Sequence, residues 1–202
     1  MSNHIEAGRL RVRVAVFACV AAAALAIDQI TKALALAHLS ETQSVRVIPG
    51  LLSLRLVHNP GASLGMGAGA TWLISLFAMA ASVVLLVMGV RTVSTRWSAL
   101  LGLAFAGAVG NLIDRIAYAD GFLNGKVVDF LDYGWSIGNV ADIFLMAAGI
   151  GIVVLIFLGV PFSQKELDEH NARIAAGDSA VSGASGVSGV SDVSDAEEPA
   201  AR

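Results

Sequence analysis

Three aspartates lie within KVVDFLDYGWSIGNVADIF, residues 126–144, a segment composed mostly of apolar and small residues. Two carboxylates held close together cannot both ionise cheaply, so one stays protonated while the other acts as a base on a water between them. Such a pair can hydrolyse a peptide bond without a metal ion or cofactor. Asp142, near the positive N-terminal end of an apolar helix, would ionise first. The structural alternative is a capping box formed by Asn139 and Asp142.

Other polar residues fall near the ends of long apolar runs. Asp28 and Lys32 are one helical turn apart, and Asp114 directly precedes Arg115. Each pair is either a structural ion pair that orients helices or part of a functional cluster. Because charges near hydrocarbon are costly and usually functional, their convergence at one membrane face favours function. His58 is interpreted as a hydrogen-bonding loop residue, since no histidine or cysteine lies at metal-binding spacing from it.

The elements that must position these residues are membrane helices. Hydrophobic residues make up 56% of the chain and charged residues only 14%, which is typical of a membrane protein. Runs of about 20 apolar residues are needed to cross a bilayer, and the backbone of each run must be helical to satisfy its own hydrogen bonds. The sequence therefore predicts an all-α membrane protein with four transmembrane helices, at 14–37, 70–90, 97–118 and 140–160. A cleavable secretory signal is the alternative for the first run, but the apolar pattern resumes after Lys32.

The segment 39–69 between the first two spans alternates apolar and polar residues around Pro49 and Gly50. This pattern predicts a small extracytoplasmic β platform beside the membrane surface. Cytoplasmic loops carry an excess of basic residues. Both termini are therefore expected to be cytoplasmic, because basic residues precede the first span, join the second to the third and follow the fourth: Arg9, Arg11, Arg13, Arg91, Arg96 and Lys165.

The end of the chain differs in composition from the rest. Residues 163–202 are rich in Gly, Ser, Ala and acidic residues, and such a segment cannot bury enough apolar surface to offset its ordering entropy. The sequence therefore predicts a membrane domain over 1–162, followed by a disordered, acidic, cytoplasmic tail. The net charge of −3 belongs largely to that tail, and nothing in the composition indicates a nucleic-acid partner.

Five short motifs occur in order along the four predicted spans. They are DQITK in the first helix, NPGAS before the second, GNLIDR ending the third, VVDF in the following loop and NVAD opening the fourth. Together they resemble the lipoprotein signal peptidase (signal peptidase II) family, over residues 14–160. Two departures concern local packing: Asn139 follows Gly138 where many members have an aromatic residue, and Ser63 replaces the usual alanine.

The resemblance implies an aspartic protease of the bacterial cytoplasmic membrane that needs no metal or other cofactor. Its substrates would be prolipoproteins in the lipid bilayer, cleaved just before a diacylglyceryl-modified cysteine. The motif positions place the catalytic pair at Asp129 and Asp142, while Asp132 is expected to be a structural loop residue. Supporting residues fall at Asp28, Lys32, Asn59, Gly61, Asn111, Asp114, Arg115 and Asn139.

Three other functions were compared with this interpretation. GASLG, residues 61–65, fits the G-x-S-x-G pattern of serine hydrolases, but a Ser63 nucleophile would need an α/β sheet and partner residues that the sequence does not supply. A small transporter or proton pathway would also place charged residues in the membrane. A non-catalytic lipoprotein-binding factor would keep the platform but would tolerate loss of either aspartate.

Overall fold

The computed structural model describes residues 2–62 and 66–186. It contains four helices that are long and apolar enough to cross a membrane, and a four-stranded antiparallel sheet, so the predicted fold class is confirmed. In chain order the elements are α1 Ser2–His38, β1 Val45–Ile48, β2 Leu52–Asn59, a short 3-10 helix Ala68–Ala70, α2 Thr71–Arg91, α3 Thr95–Ala117, β3 Val127–Asp132, β4 Ile137–Gly138, α4 Val140–Phe157 and α5 Gln164–Gly186.

Helix α3 is the central helix of the bundle. Half of its most apolar window is buried, against 17% for each of the other three spans, whose apolar side chains are left to face lipid. Small residues on α3 allow this packing. A Cβ atom at Gly102 would lie 2.7 Å from the backbone oxygen of Phe17 in α1, and one at Gly107 would lie 2.7 Å from that of Ala141 in α4. The glycines therefore bring α1 and α4 close against α3.

The end of the bundle away from the sheet is closed by contacts between the α2–α3 connection and the segment after α4. Thr92 Oγ1 and the Val93 N–H both donate to the Phe162 carbonyl, at 3.1 and 2.9 Å. The Trp97 indole N–H donates to the Val160 carbonyl at 3.0 Å, and its ring packs edge-on against Phe162. These bonds fasten α4 to the rest of the bundle at that end.

The predicted platform is present and is larger than the sequence indicates. Strands β1 and β2 form the expected hairpin, in which Gly50 at the turn has φ +74° and the Leu51 N–H donates to the Ile48 carbonyl at 3.0 Å. Strands β3 and β4 extend the sheet in the order β1-β2-β3-β4. Residues 127–132, interpreted as a loop from the sequence, thus form a strand. Its valines are buried, which the pairing with β2 explains.

Helix α5 lies within residues 163–202, the segment for which the sequence predicts a disordered tail. Residues 164–176 contain several strong helix formers, and two of its side-chain pairs join residues four apart. Gln164 Nε2 donates to Asp168 Oδ1 at 2.9 Å, and Lys165 Nζ lies 3.9 Å from Glu169 Oε1. The side chains described on this helix are exposed, except for the half-buried Leu167. The rest of the predicted tail, 187–202, lies outside the described residues.

Candidate active site

A buried lysine joins α1 to α3 at the end of the bundle next to the sheet. Lys32 Nζ in α1 lies 3.0 Å from Asp28 Oδ2 and 2.8 Å from Asp114 Oδ2, and it donates to Asn111 Oδ1 at 3.0 Å. Lys32, Asp28 and Asp114 are no more than 3% exposed. The ion pair expected between Asp28 and Lys32 is present. Asp114, however, pairs with Lys32 and not with the adjacent Arg115. The Arg115 guanidinium instead donates to the backbone carbonyls of Gly61 and Asn111.

The two acidic partners of Lys32 each hold a backbone group of another element. Asp28 Oδ1 accepts the Ala141 N–H in the first turn of α4 at 2.9 Å. Asp114 Oδ2 accepts the Val128 N–H of β3 at 3.1 Å. A Cβ atom at Gly110 would collide with the Asp28 carboxylate, so glycine is required there for α1 to approach α3. The lysine cluster therefore fixes the positions of β3 and of the start of α4.

Asn139 is the N-cap of α4 and also joins the two candidate catalytic aspartates. The predicted capping box is present: the Asn139 side chain accepts the Asp142 N–H at 3.1 Å, and Asp142 Oδ2 accepts the Asn139 N–H at 3.1 Å. Asn139 Nδ2 also donates to Asp129 Oδ1 at 2.6 Å and to Asn111 Oδ1 at 3.0 Å. One fully buried residue thus binds both carboxylates. The hydrogen bonds that cap α4 therefore also position Asp129 and Asp142.

Asp129 lies on β3 and is 2% exposed. Its Oδ2 accepts a hydrogen bond from Asn59 Nδ2 at 2.8 Å, while its Oδ1 is bound by Asn139. Burial raises the pKa of Asp129 to about 6, and the nearby Asp142 carboxylate adds to this rise, although the two amide donors oppose it. Asp129 is therefore protonated over a wider range of pH than an ordinary aspartate.

Asp142 is half-buried in the first turn of α4, where the partial positive charge of the helix end favours a carboxylate. Its Oδ2 accepts the capping hydrogen bond from Asn139, and its Oδ1 accepts a hydrogen bond from Asn111 Nδ2 at 2.9 Å. Because Asn111 Oδ1 accepts from Lys32 and Asn139, the orientation of its amide is fixed and its NH₂ group must face Asp142. Asn111 thus links the lysine cluster to the carboxylate pair.

Arg115 supports the loop that supplies Asn59. Its guanidinium donates to the Gly61 carbonyl at 2.8 Å and to the Asn111 carbonyl at 3.2 Å, and the side chain is 5% exposed. The Gly61 N–H in turn donates to Asn59 Oδ1 at 2.9 Å, which directs the Asn59 amide nitrogen toward Asp129. The structure thus brings all the site residues predicted from the sequence into one connected network.

The remaining polar residues singled out from the sequence lie outside this network. His58 Nδ1 is hydrogen-bonded to Glu41 at 2.7 Å, as expected for a structural histidine. Asp132 lies at the end of β3, where it accepts the Gly134 N–H and lies 3.6 Å from Arg55 Nε. Ser63 falls outside the described residues. Within the described part of the chain, no three His, Cys, Asp or Glu side chains are grouped to hold a metal ion.

Two depressions meet at Asp129. The first, which we call the lipid-side cleft, has a volume of about 820 Å³ and is lined by the aspartate pair and by α2, α3 and α4, including Ala78, Ala81, Ala108, Leu145 and Met146. The second, which we call the outer groove, has a volume of about 510 Å³ and is lined by residues of β2 and of the β3–β4 hairpin, including Arg55, His58, Asp132 and Ser136. Asp129 thus lines both depressions, and Asp142 lines the lipid-side cleft.

The β3–β4 connection contributes two aromatic residues to the site that no motif in the sequence indicates. Tyr133 lines the lipid-side cleft, and Trp135 lines both the cleft and the outer groove. The only signal available was the position of Tyr133, Gly134 and Trp135 between the two aspartates. Burial raises the pKa of the Tyr133 phenol, and the negative charge of Asp142 adds to this effect.

Comparisons with known proteins agree with one another. The family described as signal peptidase (SPase) II matches residues 20–158. The chain is 68% identical over 171 residues to a lipoprotein signal peptidase of Bifidobacterium adolescentis, covering 85% of this chain and 91% of the relative. It is 43% identical over 143 residues to one of Rhodococcus jostii, covering 70% of this chain and 72% of the relative. A solved structure titled as a bacterial membrane enzyme superposes with a TM-score of 0.64 at 27% identity, covering 71% of this chain and 88% of the other.

Proposed function

Because this chain belongs to the signal peptidase II family of membrane peptidases, we propose that Asp129 and Asp142 are its catalytic dyad. Family membership makes the protein a lipoprotein signal peptidase, in preference to a transporter or a non-catalytic binding factor. The observation that carries the mechanistic proposal is that Asn139 binds both carboxylates, by its side-chain NH₂ and its backbone N–H, at the wall of one cleft.

The proposed reaction uses one protonated and one ionised carboxyl group. Ionised Asp142 removes a proton from a water between the two side chains, and the resulting hydroxide attacks the scissile carbonyl carbon. Protonated Asp129 gives its proton to the carbonyl oxygen, which forms a neutral gem-diol. Asp142 then protonates the amide nitrogen, Asp129 takes a proton from the diol, and the C–N bond breaks. Both carboxyl groups return to their starting states.

The proposed substrates are prolipoproteins bearing a diacylglyceryl-modified cysteine. The lipid-side cleft has mostly apolar walls and ends at the carboxylates, so acyl chains can remain in the bilayer while the peptide bond reaches the dyad. The lipid then positions the substrate as well as anchoring it, and positioning is a large part of a hydrolytic rate.

This substrate proposal predicts a strong dependence on the lipid. Purified protein in detergent should cleave a precursor bearing a diacylglyceryl cysteine at least about 100-fold faster than the unmodified precursor, because only the first is held in register with the dyad. The measurement is kcat/KM for both precursors, with and without a chelator, which should have no effect. Equal cleavage of the two precursors would refute the lipid-positioning argument.

The raised pKa of Asp129 predicts the pH dependence. The reaction starts with Asp129 protonated, so deprotonation of this group near pH 6 removes active enzyme. We expect kcat/KM for the lipidated precursor to fall as the pH rises above about 6, approaching tenfold per pH unit. A kcat/KM that stays constant between about pH 5 and about pH 8 would contradict a protonated Asp129.

We propose a topology in which both termini are cytoplasmic and the site faces outward, on the grounds of the basic residues that flank the spans. In a Cys19→Ala background, an impermeant thiol reagent added to intact cells should label a cysteine at Ser44 but not one at Thr95. Both positions are exposed, so access of the reagent depends only on the side of the membrane. The reverse labelling pattern would invert the topology.

A further inference from the structure

The β3–β4 connection, residues 133–136, is a hydrogen-bonded turn between the two aspartates. The Tyr133 N–H donates to the Ser136 carbonyl at 2.9 Å, and the Gly134 N–H donates to Asp132 Oδ1 at 2.8 Å. Gly134 has φ +84°, a conformation that glycine adopts without strain. The backbone of the turn is therefore held in a defined conformation next to Asp129.

Two aromatic rings are displayed on this turn. Tyr133 and Trp135 are stacked, with ring centroids 6.3 Å apart and an interplanar angle of 29°. The Trp135 side chain is nevertheless 79% exposed, so most of its surface makes no contact within the protein. A stacked aromatic pair that is left open beside a reactive site is typical of a binding surface.

The position of the pair suggests what it binds. Trp135 lies where the lipid-side cleft and the outer groove meet, and Tyr133 lies on the wall of the cleft that also holds Asp142. A lipid-anchored polypeptide cleaved at Asp129 must pass through this junction, because it extends from the membrane on one side and into the aqueous space on the other. The flat faces of aromatic rings pack against an extended backbone whatever its side chains are.

We propose that Tyr133 and Trp135 form a clamp that packs against the extended polypeptide of the precursor next to the scissile bond. The clamp rests on the proposed function, since it needs a peptide substrate at the dyad. The clamp contacts the backbone of the precursor, so its binding does not depend on the side chains of the precursor. Its contacts are made equally in the bound ground state and in the transition state, so they act on binding.

The kinetic test compares Trp135→Ala with Phe122→Ala. Phe122 is a matched control because its side chain is 71% exposed on the α3–β3 connection and lines neither the cleft nor the outer groove. For the lipidated precursor, Trp135→Ala should raise KM about tenfold with little change in kcat, as expected for loss of uniform binding, and Phe122→Ala should change neither. Tyr133→Phe, which keeps the ring, should behave like the wild type in KM.

A binding measurement separates the clamp from a membrane anchor. In an Asp142→Asn background, adding the lipidated precursor should shift the tryptophan emission to shorter wavelength as Trp135 is covered, and Trp135→Phe should abolish the shift. Unchanged KM in Trp135→Ala together with unchanged emission would overturn the clamp and leave Trp135 as an interfacial anchor. Failure of the wild type to cleave the lipidated precursor would instead overturn the proposed function.

Discussion

Asp129→Asn and Asp142→Asn are each expected to lower kcat for a lipidated precursor by about 10³-fold or more, because either change removes one half of a proton-transfer pair. An asparagine cannot take a proton from water or return one to the leaving amine. Because the two carboxylates act as a unit, the double variant should be little slower than either single variant. Single-turnover cleavage of the lipidated precursor by each purified variant gives this comparison of rates directly.

The matched control is Asp132→Asn, on the same strand three residues after Asp129. Among the described residues, the Asp132 side chain pairs with the partly exposed Arg55 and with a backbone N–H, so its replacement should change kcat by less than about fivefold. Both dyad variants should still bind the lipidated precursor, which shows that they are folded. Substantial turnover by Asp129→Asn or Asp142→Asn would exclude the dyad assignment.

Lys32→Met is expected to cause the largest loss of stability of any single substitution at the site. It leaves the buried carboxylates of Asp28 and Asp114 without their shared counter-ion, and breaking a buried ion pair in this way costs about 3–5 kcal/mol. Thermal unfolding in detergent should show a lower midpoint. Activity should fall too, since the same lysine orients Asn111, which binds Asp142.

The exposed Lys165 provides a control for removal of a lysine. Its side chain is 87% exposed and lies 3.9 Å from Glu169, so Lys165→Met should leave the unfolding midpoint unchanged. Asp114→Asn combined with Lys32→Met should recover part of the lost stability, because it removes one of the two stranded charges while keeping an acceptor for the Val128 N–H. An unaltered midpoint for Lys32→Met alone would contradict the central role of the lysine.

The sequence predicts the helices better than it predicts the platform. The spans are long apolar runs, and the bilayer leaves the backbone no alternative to a helix, so the four runs could be located from composition alone. Strand β3 was not predicted because its partner β2 lies about 70 residues earlier, and pairing between distant segments leaves little local pattern. For the same reason, Asp129 was interpreted as a loop residue.

The residues of the candidate site could be predicted from sequence motifs, but the hydrogen bonds and ion pairs between them could not. Asp114 precedes Arg115 in the chain, which suggested an ion pair, whereas the structure pairs Asp114 with Lys32 of another helix. Sequence neighbours on a helix point in different directions, so adjacency is a poor guide to contact. The two functions of Asn139 were likewise considered as alternatives, although one side chain can accept a hydrogen bond through its oxygen and donate through its nitrogen.

The distribution of the lysine cluster along the chain has a consequence for synthesis. Lys32 and Asp28 enter the membrane with the first helix, but Asp114 arrives with the third, and the cap that holds Asp129 and Asp142 forms only with the fourth. A growing chain that has inserted three helices contains the lysine cluster of Lys32, Asp28 and Asp114 but does not yet contain Asp142. With Asp129 and Asp142 as the proposed dyad, proteolytic capacity therefore appears only with the last membrane insertion step.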